Sequence, residues 1–245
     1  MKKDYKDRFY RKWVGSDDLI LQEVKVDETD LYISSSVNVE GQARESIIRY
    51  RSYIEDHIKA DPDFRDSLKP IENNDLAPVI IKDMIYYSRL AGVGPMAGVA
   101  GAIAECVGKE LLKYSKEIIV ENGGDIFIAS QKTRNIAVFA GESILSRKIS
   151  IKITPGPAPL GVCTSSGTVG HSLSFGNADA CVIISKSTIL ADTVATAAAN
   201  RVRAKEDIEG ALKFAMSVDG VKGALIIYKK ELGLSGDIEI SRGSI

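Results

Sequence analysis

Asp192 and Thr196 stand four residues apart in the run Ala191-Asp192-Thr193-Val194-Ala195-Thr196. On a helix this spacing puts both side chains on one face, a single turn apart, so a carboxylate and a hydroxyl converge. Both are hard oxygen donors. Mg²⁺ takes one or two such protein ligands and completes its octahedron with phosphates and water, so the pair is a candidate metal site. The competing reading gives Asp192 the task of capping the start of its helix.

Four other stretches carry chemical potential. Thr164-Ser165-Ser166-Gly167-Thr168 offers hydroxyls and a flexible backbone whose N–H groups can form an anion-binding concavity; surface loops have the same composition. His171 follows this loop, where an imidazole can hydrogen-bond a ligand or move a proton near neutral pH, or simply satisfy local backbone groups. Asn122-Gly123-Gly124-Asp125 reads as the turn between two strands. The segment Met96 to Glu105 holds Ala97, Gly98, Ala100, Gly101, Ala102 and Ala104 with hardly a bulky side chain. A flat ring or a pyrophosphate could lie against its backbone, and close packing of two helices would need the same residues. Gly92-Val93-Gly94 continues into Pro95-Met96-Ala97 without the third glycine of a dinucleotide fingerprint, so no Rossmann site is expected.

The elements that must position these groups follow from periodicity. Strands are expected at 19–26 and 31–33 around a turn at 27–30. Apolar residues at helical spacing predict an amphipathic helix over 42–59, stopped near Asp61-Pro62, with His57 on its solvated side and without a role. A connection follows over 62–76, then a helix over 78–90 that opens on Pro78. Four β-rich runs at 117–120, 125–129, 135–140 and 148–153 fit hairpins. After the Pro155-Gly156-Pro157 turn come a loop at 164–170, a strand at 180–185, helices at 190–203 and 207–218, and strands at 224–228 and 236–240. Strands and helices arrive in blocks, which predicts an α+β fold with a largely antiparallel sheet packed against helices around one large core.

Composition narrows the partners. The 32 basic residues nearly balance the 33 acidic ones, so no global field draws the chain to nucleic acid or an anionic membrane. A small molecule or another protein is expected instead. The first eight residues show no apolar run behind their positive charges, and no segment reaches the roughly 20 apolar residues of a membrane span. Cys106, Cys163 and Cys181 lack CxxC spacing and sit among small or apolar neighbours. These features predict a soluble cytoplasmic protein. At 245 residues it fits one domain over 1–245, and a homodimer is the ordinary assembly at this size.

Taken in order, Gly94-Pro-Met-Ala-Gly-Val-Ala-Gly-Ala-Ile-Ala-Glu105, Asn122-Gly-Gly-Asp125, Thr164-Ser-Ser-Gly167 with His171, and Ala191-Asp192 with Thr196 resemble the ApbE superfamily. The chain looks like a shorter, largely uncharacterised branch of it, which also carries a Glu-Thr-Asp-Leu turn near its start, here Glu28 to Leu31. The resemblance implies an ApbE-like fold. For the main branch it implies Mg²⁺-dependent transfer of FMN from FAD to a threonine or serine of an acceptor protein, with AMP leaving. Asp192 and Thr196 would hold the metal, with His171 beside Asp192 as a catalytic residue. Gly94, Met96, Ala97, Gly98, the 122–125 turn and Thr164, Ser165, Ser166 and Gly167 would border the flavin nucleotide. Two main-branch features are replaced. A lysine-glycine pair has no counterpart beside Ala97-Gly98, and an Asp-Pro-x-Thr-Gly run after the histidine is replaced by Ser172 to Asp179. The resemblance thus leaves three expectations open: FMN transfer or FAD hydrolysis, flavin or nucleotide binding without turnover, and a non-flavin specificity using Ser165, Ser166 or His171.

Overall fold

Short turns set the layout of the protein. In the computed structural model, which describes residues 16–72, 76–168 and 175–242, β1 (Ile20–Val26) and β2 (Thr29–Ser35) pair antiparallel, with Val26 opposite Thr29. Only Asp27 and Glu28 remain for the turn, which is therefore tighter than the four residues expected. Asp27 takes φ 50°, the left-handed region that such hairpins require and aspartate tolerates. Helix α1 (Glu40–Ala60) turns Ala43, Ile47 and Ile54 inward, and its Arg51 reaches back to Glu28 at 2.6 Å. One helical turn, α2 (Asp63–Asp66), then buries Phe64. His57 is not on a solvated face: its ring is half-buried, edge-on to Phe64 with centroids 4.8 Å apart.

Helix α3 (Val79–Ala91) starts after Pro78 and stops at Gly92, whose φ of 73° suits glycine at a helix end. The chain then bends by 103° into a 3₁₀ turn (Pro95–Gly98) that runs into α4 (Val99–Leu111). This bend brings the glycine–alanine segment against the later helix Thr188–Ala199. Among the described residues no single helix is long and apolar enough to cross a membrane.

The remaining elements are β3 (Ile118–Asn122), β4 (Asp125–Ala129), β5 (Arg134–Ala137), β6 (Ile149–Ile153), β7 (Leu160–Ser165), β8 (Ala180–Ser185), α5 (Thr188–Ala199), α6 (Ile208–Ser217), β9 (Val221–Tyr228), β10 (Glu231–Gly236) and β11 (Glu239–Arg242). Eight strands form one sheet in the order β1-β2-β3-β4-β7-β8-β9-β10, and β11-β6-β5 form a second. Every strand pairing among the described residues is antiparallel, so the fold is α+β as the block pattern predicts.

Side-chain alternation assigns the faces of the large sheet. Val120 and Phe127 point toward α1, α3 and α4. Cys163, Cys181 and Ile183 point toward α5 and α6. The opposite face, with Ile126, Val162, Val182 and Leu225, packs on Ile136, Ile151 and Ile153 of the small sheet. Strand β8 is consequently buried on both sides along its whole length.

Further along the chain, two more assignments differ from the sequence expectation. Thr164 and Ser165 do not begin a loop but end β7, opposite Val182 and Cys181. The closing strand expected at 236–240 is split: β10 ends at Gly236, φ 81°, and the chain crosses to the small sheet as β11. A Cβ at Gly236 would lie 2.4 Å from the Lys222 carbonyl oxygen, so only glycine makes that exit.

Candidate functional site

Small residues let α4 and α5 touch. A Cβ on Gly98 would fall 2.7 Å from Thr193 Cγ2, and one on Gly101 2.6 Å from the Thr188 carbonyl oxygen and 2.9 Å from Asp192 Cβ. The low-bulk segment thus packs a helix pair. Gly101→Ala is expected to force that pair apart and cost about 1–3 kcal/mol as overpacking. Thermal denaturation measures it, and an unchanged midpoint would mean the contact is slack.

The two helices cap each other. Glu105 of α4, 4% exposed, accepts hydrogen bonds from Ser187 Oγ (2.8 Å) and from the backbone N–H groups of Thr188 (2.6 Å) and Ile189 (3.2 Å) at the start of α5. Asp192 of α5 returns the contact: its Oδ2 accepts from the Gly101 N–H at 2.9 Å, in the first turn of α4. Helix termini leave such N–H groups without intrahelical partners, and carboxylates there also meet the favourable end of the helix dipole. Asp192 is therefore a cap, but of the neighbouring helix; α5 begins earlier than expected, at Thr188, with Ser187 as its own cap.

The β3–β4 hairpin brings the third component. Gly123 (φ 68°) and Gly124 (φ 111°) form its turn, and the Gly124 N–H donates to Glu121 Oε1 at 2.8 Å. The Asn122 side chain donates to the Ala100 carbonyl at 3.1 Å and so ties the hairpin to α4. Asp125 opens β4 opposite Cys163.

These pieces meet at a cavity of about 400 Å³ lined by Gly94, Met96, Ala97, Val99, Ala100, Asp125, Asp192 and Thr196, with Arg65, Ser67, Leu68, Val93, Phe175 and Asn200. Seven residues singled out in the sequence therefore share one cavity. Gly98 is buried in the helix contact instead. Asn122, Gly123 and Gly124 stand behind Asp125 as its supporting turn. Thr164, Ser165, Ser166 and Gly167 run past that turn, the Thr164 carbonyl lying 3.8 Å from a Cβ built on Gly124, and the Gly167 N–H bonds the Ala178 carbonyl at 2.8 Å. His171 lies outside the described residues.

Sequence reasoning passed over Phe175, Asn200 and Arg65, and gave Glu105 no role beyond closing the glycine–alanine motif. Asn200 continues the four-residue spacing of Asp192 and Thr196, a signal that was present. Its Oδ1 accepts from the Phe175 N–H at 2.8 Å and holds that ring at the cavity. Arg65 arrives from a one-turn helix that no local pattern announces; Asp66 engages its guanidinium at 2.8 and 3.1 Å.

Burial governs the electrostatics. It pushes the Asp125 carboxyl up to about 7, with the charge of Glu121 adding to the shift and the Cys163 thiol and Thr164 backbone opposing it. Asp192 is raised well above the usual carboxylate range by burial and then by the charge of Asp125, against the pull of the Gly101 N–H. The Cys163 thiol is raised by burial and by both carboxylates, so it remains a thiol at neutral pH.

Two buried acids and one hydroxyl line the cavity as a sparse oxygen site, and among the described residues Asp125 Oδ1 is buried without a hydrogen-bond partner. Among the described residues no group of three or more His, Cys, Asp or Glu could hold a metal. Carboxylate and hydroxyl donors of this kind suit a hard divalent cation completed by phosphate and water, and lack the nitrogen and sulfur ligands of a zinc cage.

A pH dependence follows. The folded-state carboxyls ionise at higher pH than their unfolded counterparts, so the folded metal-free protein binds the extra protons. The stability they contribute is fully present below about pH 4 and is lost as pH rises through about 7, where Asp125 ionises. A cation that binds the ionised acids should reverse the trend. Melting temperatures at about pH 5 and about pH 8 are expected to show Mg²⁺ stabilising the protein more at the higher value; an equal shift at both would contradict the arrangement.

The profile of a protein family described as "AbpE bacteria" matches residues 11–234. A UPF0280 protein of Methanococcus aeolicus is 41% identical over 220 residues, covering 88% of this chain and 86% of its own. One from Methanocaldococcus jannaschii is 39% identical over 202 residues, covering 80% and 82%. Among solved structures, a mutant of the flavin transferase ApbE from Vibrio cholerae superposes with a TM-score of 0.57 at 13% identity, over 92% of this chain and 97% of that one. The apo flavinyl transferase ApbE of Pseudomonas stutzeri gives 0.56 at 13% identity, over 89% and 94%. The scaffold is that of the flavin transferases, and the chain belongs to the UPF0280 family of ApbE-like proteins.

Proposed function

We propose that the protein is a Mg²⁺-dependent enzyme acting on a flavin nucleotide, cleaving the pyrophosphate of FAD to transfer FMN to a hydroxyl or to release FMN and AMP. The observation that carries this reading is the convergence of Asp192, Thr196 and the Gly94–Ala100 segment on one cavity with Asp125. In the reaction a hydroxyl oxygen of an acceptor serine or threonine, or of water, forms a bond to the phosphorus of the FMN half. The phosphorus–oxygen bond to AMP breaks, and the AMP phosphate carries away the electron pair.

Such chemistry asks for positioning and charge neutralisation more than covalent help. A cation held by Asp192 and Thr196 would supply the neutralisation. The chain's own residues do the rest. Met96, Leu68 and Phe175 offer apolar surface for a flat ring, and the low-bulk Ala97–Ala100 backbone allows the diphosphate to approach. His171, near the altered loop, is the group assigned to take the proton from the attacking hydroxyl. Replacement of the main-branch Asp-Pro-x-Thr-Gly run by Ser172 to Asp179 favours a changed acceptor.

The test is incubation of purified protein with FAD and Mg²⁺, followed by separation of nucleotides. AMP should appear with FMN or with a flavin-labelled protein. Unchanged FAD, with flavin bound in a calorimetric titration, would favour a binding protein without turnover; no flavin binding at all would point to a non-flavin substrate.

A further inference from the structure

We propose that Asp125 is itself a ligand of the cation, and that the site takes a hard divalent ion before any nucleotide enters. This rests on the reading of Asp192 and Thr196 as metal donors but adds a third protein oxygen and an order of binding.

Three observations converge. Asp125 is 7% exposed, lines the cavity it shares with Asp192 and Thr196, and its buried Oδ1 has no hydrogen-bond partner among the described residues. A buried carboxyl oxygen in that state is left unsatisfied unless the group keeps its proton or meets a cation. The hairpin does not need the side chain: Asn122 pairs with Asp125 through the backbone register, and the Gly124 N–H is already taken by Glu121. The charge count is also unbalanced. Arg65 is the one basic residue among those described around the cavity, and Asp66 already engages it at 2.8 Å.

Asp192 meanwhile engages Gly101 through Oδ2, its one side-chain hydrogen bond among the described residues. Side chains from β4 and from two successive turns of α5 thus line one cavity, in which the single basic residue among those described is already engaged. With two carboxylates and a hydroxyl from the protein, Mg²⁺ or Mn²⁺ would have half of its octahedron before substrate phosphate arrives. A site with one carboxylate would instead wait for the phosphates.

The experiment titrates nucleotide-free protein with Mn²⁺, following free ion by its paramagnetic resonance, in the wild type and in Asp125→Asn, which keeps the shape and removes the charge. The wild type should bind one ion, and Asp125→Asn should bind it at least about tenfold more weakly. On the wild type, bound Mn²⁺ should also broaden the amide resonances of residues 124–126 and 192–196, a readout that stands even if the variant fails to fold. Equal affinity in the variant, or no broadening around residue 125, would overturn the proposal. Mn²⁺ that binds only after FAD is added would overturn it while leaving the flavin reading intact. Mn²⁺ binding as described in a protein that neither binds nor cleaves FAD would uphold it and remove the flavin reading.

Discussion

Replacing Asp192 by asparagine is expected to lower Mg²⁺-dependent turnover of FAD by about 10²–10³-fold while the protein stays folded, the loss typical of removing one electrostatic contact to the reacting groups. Asparagine can still accept the Gly101 N–H through its amide oxygen, so the cap on α4 survives and only the charge disappears. That separation makes the experiment informative. Asp192→Ala would remove cap and charge together and confuse a helix effect, about 1 kcal/mol by itself, with a metal effect. Circular dichroism and melting of Asp192→Asn without metal should match or exceed the wild type, because a buried acid that strains to ionise has gone. Retention of full Mg²⁺-dependent activity would refute the assignment of this residue.

The largest effect on stability is expected far from the cavity. Arg134 opens β5 with its side chain 4% exposed, paired with Asp18 and, at 3.1 Å, with Glu117, whose side chain is 12% exposed. Hydrogen bonds from Arg134 and Lys132 hold the Asp18 carboxyl well below the usual carboxylate range. Arg134→Ala strands Glu117 without its partner, and breaking a buried pair from one side typically costs about 3–5 kcal/mol. Asp18 can turn to water, so the lower end of that range is expected. Urea denaturation measures it, and a loss under about 1 kcal/mol would show that Glu117 finds other partners, such as the Ser130 hydroxyl that already donates to it at 2.7 Å.

Local patterning made much of this fold legible. Strand β8 was readable to the residue because a short apolar run between turn signals has few other uses, and α1 was readable because its apolar positions repeat at helical spacing. Strand β7 hid because its Gly161-Val-Cys-Thr-Ser165 sequence mixes small and hydroxyl residues that turn chemistry also prefers. Its strand identity comes from pairing on both sides with β4 and β8, which is tertiary information. The split of the final strands hid for a similar reason: one glycine carries the crossing, and a lone glycine looks the same in a bulge.

At the site, the four-residue spacing of Asp192 and Thr196 placed two donors on one helical face, and the structure adds the partner helix and hairpin that no window of sequence contains. Glu105 illustrates the limit. Its position 82 residues before Ser187 carries no periodic signal, yet it holds the start of α5. The residues at the mouth of the cavity, Arg65 and Phe175, come from short connections whose placement depends on everything they lie against.

The mutual capping of α4 and α5 ties two processes into a single equilibrium. On the proposed metal reading, the Asp192 carboxyl that anchors the Gly101 N–H through Oδ2 would also meet an incoming ion, so filling the centre and ordering residues 99–101 draw on one side chain. A ligand that pulls Asp192 toward itself will loosen that turn, while one that lets the residue serve both roles will tighten it. The backbone lining the cavity is thereby a gauge of what occupies it.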